Sequence, residues 1–426
     1  MKVLYKISYI RSINIILLLI FITKFFQSTP FEREFFQIQA GFIVLMGFYF
    51  IKEFFQIGKY KNEPVIKYFF FLILFMFFFS AIRANMVFGQ SYYLGLLAKR
   101  GVFMIMAAVW IYNYLIKGKI SFQNLEDIFI LLGWLSFFVF TYIYFFVNPN
   151  TFIGSSFVNY DPLRGYRYKF QAVLVTFITL YYLIKYREKG KLKDLLFYLL
   201  LFSFALFIIS GRGNILILLF VSFIILIRNI NISKIIKLTG LIFAGVIIIY
   251  FLSDTLFTKF LPDFLVRLNQ AFEVLGGKAT SDASANSRIL QSGIIFDFLS
   301  KHTSSIWFGV GHVSNHFRVA GGWGFNAIFG YLYPTDTGLI GALFLWGIVG
   351  LIFTYIIPVK YIIQTIRKTP KTKNIFIITL NYFLIFTLIA SLYTGNLVFN
   401  PYFIYFLLGI LLAHKKLYKN GNISKY

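Results

Sequence analysis

The residues best suited to chemistry are few, and they fall in short polar breaks between apolar runs. Ser210-Gly211-Arg212-Gly213-Asn214 is one such break, tight enough that Arg212 must lie at the edge of the apolar layer. An unpaired Arg at a bilayer centre costs about 2.5–3.5 kcal/mol. The flanking glycines let the backbone approach a ligand closely or simply make the turn, but a turn has no need of Arg. Arg288 follows Asn286 and Ser287, either of which can cap a helix. A cation in that first turn stands at the unfavourable end of the helix dipole, so it reads as a ligand contact or as a lipid-headgroup contact.

Asp336, in Tyr333-Pro334-Thr335-Asp336-Thr337-Gly338, stands just before an apolar run. Asp is a good N-cap there, and one facing a cleft could equally act as a general base. His316 beside Asn315 could be a base or a ligand for sugar hydroxyls. His312 and His316 are four residues apart but lie in a Gly-rich stretch without the accompanying Glu of a helical zinc motif, so no metal site is expected. Gly309-Val310-Gly311 lacks the strand-turn-helix setting of a dinucleotide site, and the chain has no ATP-type phosphate loop, so no cofactor is expected.

The elements that must hold these residues are membrane helices. The chain has 426 residues, 59% hydrophobic and 21% aromatic, with only 13% charged. A soluble surface needs about a quarter of its residues charged, and disordered chains are poor in aromatics, so both classes are excluded. The absence of Cys removes disulfides, thiolate metal sites and Cys nucleophiles. At about 20 apolar residues per crossing, twelve runs qualify: 10–27, 35–52, 65–82, 94–116, 125–147, 168–186, 194–210, 213–230, 235–254, 336–358, 374–393 and 397–414. This predicts an all-α polytopic membrane protein, a single membrane domain over 1–426. The first run lacks a small-residue cleavage site and is expected to be retained as a helix.

Orientation follows from the Lys and Arg of alternating loops. One side, with both termini, carries 26 of the 41 cations, 22 of them Lys, and is expected to be cytoplasmic. The opposite side carries 6 Lys and 9 Arg, namely Arg33, Arg83, Arg100, Arg164, Arg167, Arg212, Arg267, Arg288 and Arg318. Topology needs only charge, whereas Arg suits planar contact with phosphate or carboxylate. The outer Arg set therefore suggests a phosphate or acidic-sugar ligand, or else headgroup contacts and pairing with outer acids. The net charge of +26 is accounted for by the bilayer, and no nucleic-acid partner is expected.

Most connections are short, but 255–335 forms one large outer loop rich in aromatics. Within it, Leu290, Ile294 and Phe298 recur at helical spacing over 287–300, which predicts an amphipathic helix on the outer membrane face. The stretch 309–338 is Gly-rich and turn-like.

Three pieces in order resemble the O-antigen ligase/polymerase family of bacterial envelope polysaccharide assembly: IISGRGNILILL, NSRILQSGIIFDFLSKHTSSIWFGVG, and TDTGLIGALFLWGIVGLIF with its paired Gly347 and Gly350. They span about 210–353. The resemblance implies a GT-C-like glycosyltransferase of the bacterial inner membrane. Its donor would be an undecaprenyl-diphosphate-linked oligosaccharide, used on the outer face to build O-antigen, capsule or exopolysaccharide. Arg212 and Arg288 would hold the diphosphate. Ligases of the family place a His about eleven residues before the first Gly of the pair; here that position is Asp336, which favours a polymerase. The base stays open between Asp336 and His316, while Arg164 and Arg167 would grip the second lipid-linked substrate and Arg318 would add a substrate contact. A chain-length regulator is a conceivable partner. The rivals are a ligase passing finished polymer to an acceptor, a polysaccharide-lipid flippase, and a peptidoglycan-type polymerase. Transporters show broken helices in related halves, and the two halves here look unlike each other.

Overall fold

The computed structural model describes residues 2–29, 31–152, 158–161, 165–209, 212–227, 283–319, 322–369 and 372–421. The expected ninth span, 235–254, lies outside the described residues, as do Arg164, Arg267 and the side chains of Arg33, Arg167 and Arg212. The described chain is helical apart from two small hairpins, β1 (Val158–Asp161) with β2 (Gly165–Tyr168), and β3 (Arg318–Val319) with β4 (Gly322–Trp323).

The described residues of the other eleven expected spans are mainly helical, and among the described residues six helices are long and apolar enough to cross a membrane: Glu34–Phe54, Pro64–Phe88, Tyr92–Ile116, Phe122–Phe146, Leu339–Lys368 and Ile375–Thr394. The first belongs to α2 (Glu32–Phe54), which follows α1 (Lys2–Ile22). The second joins α3 (Pro64–Leu74) to α4 (Ser80–Phe88) through a π-turn, and the third joins α5 (Tyr92–Lys99) to α6 (Met106–Ile116) through a 3-10 turn. The fourth is α7 (Phe122–Phe146). Within the described residues, Ser12–Ile22 of α1 and Gly213–Ile227 of α10 (Arg212–Ile227) are shorter apolar helices. Between them in sequence, α8 (Val173–Lys189) ends in a basic turn, which trims its apolar length, and α9 (Leu192–Phe204) runs only 13 residues before a π-turn.

Close approach of small residues packs the bundle, as expected where lipid removes the hydrophobic drive between helices. A Cβ on Gly133 would come within 2.4 Å of Ile178 on α8. Gly409, on α18 (Tyr402–Lys419), brings its helix so near α6 that a Cβ would lie 2.4 Å from the Ala108 carbonyl oxygen. Phe129 on α7 packs its ring against Phe177, Phe376, Phe403 and Phe406, which ties α7 and α8 to α18 and to α16 (Ile375–Thr394).

The long loop expected at 255–335 is described over 283–319 and 322–335. It contains α11 (Ala283–Lys301), α12 (Thr303–Phe308), β3, β4 and α13 (Gly324–Phe329). The amphipathic helix is present, but its buried stripe is Gln291, Ile295 and Leu299, with Ile294 and Phe298 partly buried and Leu290 60% exposed. The stripe is turned by one position because α11 packs sideways on α14 (Leu339–Leu351), leaving Ile289, Leu290 and Phe296 on the open face. The helix also begins earlier than expected, so Arg288 lies in its second turn rather than its first.

The signature glycine Gly347 breaks α14, adopting φ 64° and ψ −176°. The Gly309-Val310-Gly311 segment lies across this break. Val310 N–H donates to the Phe344 carbonyl at 2.9 Å, and Gly311 N–H donates to the Leu345 carbonyl at 2.9 Å. There is no room for a side chain at the crossing, since a Cβ on Gly347 would come within 2.4 Å of the Gly309 nitrogen and the Trp307 carbonyl oxygen. Gly347→Ala should therefore cost more than the about 1–3 kcal/mol of backbone strain alone, read as a lower unfolding temperature of the detergent-solubilised protein. Gly293→Ala, at a helical position with open space around it, should instead stabilise by about 0.5–1 kcal/mol. Equal behaviour of the two variants would contradict the role given to the crossing.

Candidate functional site

From the crossing, residues 312–316 run along a wall prepared by α4 and the turn after it. Arg83 Nε donates to the Gly309 carbonyl at 3.0 Å. His312 N–H donates to Ser80 Oγ at 2.9 Å. Gln90, fully buried, grips the strand with both ends of its amide: Nε2 donates to the His312 carbonyl at 3.3 Å, and Oε1 accepts from Ser314 N–H at 2.7 Å. His312, Ser314, Asn315 and His316 are thereby fixed on the wall of a cavity of about 750 Å³.

Asp336 lines the same cavity. It belongs to a 3-10 turn, Pro334–Thr337, held by a second buried glutamine. Tyr333 N–H donates to Gln291 Oε1 at 2.7 Å, and Gln291 Nε2 donates to Ser287 Oγ at 3.0 Å. The capping role is not realised: the N-cap position of α14 is Gly338, with no side-chain cap, and the exposed Asp336 side chain remains available to the cavity.

The remaining charge in the wall is positive. Lys24, Lys99, Arg100 and Lys169 line it, and Asp336 is the sole acid among its described lining residues. Lys24 follows the end of α1 at φ 54°, the one non-Gly residue with positive φ among the described residues. Such strained backbone concentrates at functional sites. Its Nζ donates to Asn400 Oδ1 at 2.6 Å. Lys99 Nζ stands 5.1 Å from the Trp346 ring centre, one residue before the Gly347 break. Burial, and after it the Lys99 charge, hold the His312 imidazole well below its ordinary pKa. His312 is therefore neutral near pH 7, and its buried Nδ1 has no protein partner among the described residues.

Of the residues expected at the site, Asp336 and His316 share the cavity, whereas Arg288 and Arg318 are absent from its wall. Arg318 stacks its guanidinium on Trp323 at 4.0 Å. Arg288 instead lies close enough to the Tyr393 hydroxyl to act on it electrostatically. That hydroxyl donates to Asn214 Oδ1 at 2.6 Å, and the Tyr393 carbonyl packs so tightly on Gly338 that a Cβ there would be 2.3 Å away. Tyr393 thus gathers the start of α10, Arg288 and the Asp336 turn from three distant stretches of sequence. A second, mostly apolar cavity of about 190 Å³ includes Asn214 and shares Lys24, Gln171 and Asn400 with the larger one.

Reasoning from sequence missed Lys24, Lys99, Lys169, His312, Gln90 and Gln291. The available signal was scarcity: Lys is rare on the side read as outer, with six residues, and three of those line the cavity. The neutral state of His312 had no such signal, since Lys99 lies over two hundred residues away.

Among the described residues the fold is helical apart from its two small hairpins and holds six long apolar helices, the make-up of a membrane protein. Comparison with protein-family models and with curated proteins gives no match.

Two outcomes test Lys24 with citrate as a small polyanion probe. Lys24→Gly removes a backbone strain worth about 1–2 kcal/mol and one hydrogen bond worth about 0.5–1.5 kcal/mol. Stability should stay within about 1 kcal/mol while citrate affinity falls about tenfold, and unchanged calorimetric affinity would remove Lys24 from the site. Burial lowers the Lys24 pKa in the free protein. A bound anion favours the ammonium and raises that pKa again, so binding takes up a proton and weakens as pH rises from 7 to 10. Flat affinity across that range would contradict this.

Proposed function

We propose that the chain is a membrane glycosyltransferase that polymerises polyprenyl-diphosphate-linked oligosaccharide units. The observation carrying this reading is the cavity in which an uncapped carboxylate, Asp336, and the imidazoles of His312 and His316 face a cationic wall. Asp336 belongs to a turn whose next glycine packs on Tyr393, beside Arg288 and the start of α10. The base would stand between the saccharide cavity and the arginine corner.

In this reading Arg288 holds the diphosphate beside Tyr393, and Arg212, whose side chain lies outside the described residues, is the second guanidinium that would hold it. The apolar cavity, entered beside Asn214, takes the first part of the lipid. An acceptor sugar hydroxyl in the large cavity gives its proton to Asp336 or a neighbouring imidazole as its oxygen bonds to the anomeric carbon. The anomeric carbon–phosphate oxygen bond breaks, and the leaving diphosphate carries its electron pair toward the two guanidinium groups. The side read as outer carries this site, and both termini lie in the cytoplasm.

The test is the size and lipid linkage of surface glycans in a deletion strain complemented with wild type or Asp336→Asn. Loss of a general base lowers turnover by about 10²–10⁴-fold, so the variant should leave single repeat units where wild type makes long chains. Long chains stranded on the lipid carrier would identify a ligase. Repeat units trapped on the cytoplasmic leaflet would replace the enzyme reading with a transporter.

A further inference from the structure

We propose that the large cavity is built for an acidic saccharide, one whose sugars carry carboxylate groups. The inference rests on the proposed function in one respect, that the cavity holds the glycan. Elsewhere in the chain, partly buried lysines are given carboxylates: Lys59 pairs with Glu53, Lys185 with Asp194 at 3.6 Å and Lys416 with Glu63 at 3.2 Å. Around the cavity this pattern stops. Lys24, Lys99 and Arg100 have no carboxylate partner among the described residues; Lys24 has only the Asn400 amide and Arg100 only the Leu97 carbonyl.

Lys24 and Lys99 are partly buried, and a partly buried cation without counter-charge is costly unless a ligand supplies it. Lys24 comes from the turn after α1, and the adjacent Lys99 and Arg100 from the junction between the end of α5 and the turn leading to α6; Lys169 joins the wall from the segment after β2. They line a space of about 750 Å³, within the range that holds a ligand of several rings and too large for a single phosphate group. Among the described lining residues Asp336 is the sole acid, and it is needed as a base. Arg288, which acts on Tyr393, lies off this wall, so a diphosphate held there does not account for the charge of the cavity. Carboxylates spaced along an oligosaccharide do.

The test uses the full chain in lipid nanodiscs with two probes of one shape: tetragalacturonate and its fully methyl-esterified, uncharged form. The acid should bind at least about tenfold more tightly than the ester at low salt, with the gap closing as salt rises. In the double variant Arg100→Gln/Lys169→Gln, at two exposed positions, the gap should shrink to about threefold or less. Equal binding of acid and ester by wild type would overturn the acidic-saccharide inference and leave the glycan reading standing. An acid preference that survives the double variant would place the anion elsewhere and overturn it too. Binding of neither probe would also overturn it, while the glycan-length readout with Asp336→Asn continues to decide the proposed function independently.

Discussion

The site depends on the place where one chain segment crosses a broken membrane helix. A helix in lipid must satisfy its own carbonyls, because no water is present to do so. At Gly347 the regular geometry of α14 is interrupted, and the N–H groups of Val310 and Gly311 bond to the carbonyls of Phe344 and Leu345. The loop gains a fixed anchor from the same contacts. His312–His316 follow directly on Gly311, so the anchor also sets the position of the cavity wall. Glycine is required on both sides of the crossing, since backbone meets backbone with no space for a Cβ.

Two buried glutamines extend this anchoring to the rest of the site. Gln90 holds the backbone on both sides of Val313, and Gln291 holds Tyr333 before the Asp336 turn. A glutamine amide presents one donor and one acceptor in a plane, so it can grip a loop as a neighbouring strand would. Loops held this way need no secondary structure of their own. The catalytic candidates can then stand on irregular backbone, exposed to a cavity, without losing their positions.

Charge is distributed on a different principle at the two ends of the bundle. At the end read as cytoplasmic, lysines meet carboxylates within the fold, as Lys59 does with Glu53 and Lys416 with Glu63. At the cavity, Lys24, Lys99 and Arg100 have no carboxylate partner among the described residues, and Asp336 is the one acid in the described wall. The first arrangement neutralises charge internally. The second keeps a field available for an anionic ligand, at some cost to stability that the surrounding helices must offset.

The sequence by itself determined the helical membrane class, because apolar runs of crossing length cannot form a soluble surface. It also singled out Asp336 and His316, which share the cavity wall, although at Asp336 a helix cap was an equally good reading of the residue type. Its emphasis on Arg over Lys was misplaced for the cavity, where three of the four cations are Lys. Composition can say which residue type suits an anion, but it cannot say which copies converge. That was decided by tertiary structure: Lys24, Lys99, Lys169 and His312 are brought together by packing across nearly three hundred residues. The amphipathic helix illustrates the same limit, since periodicity revealed a helix but not which of its two apolar sides would meet α14. Local spacing constrains local conformation, whereas the electrostatics of a site depend on distances through space.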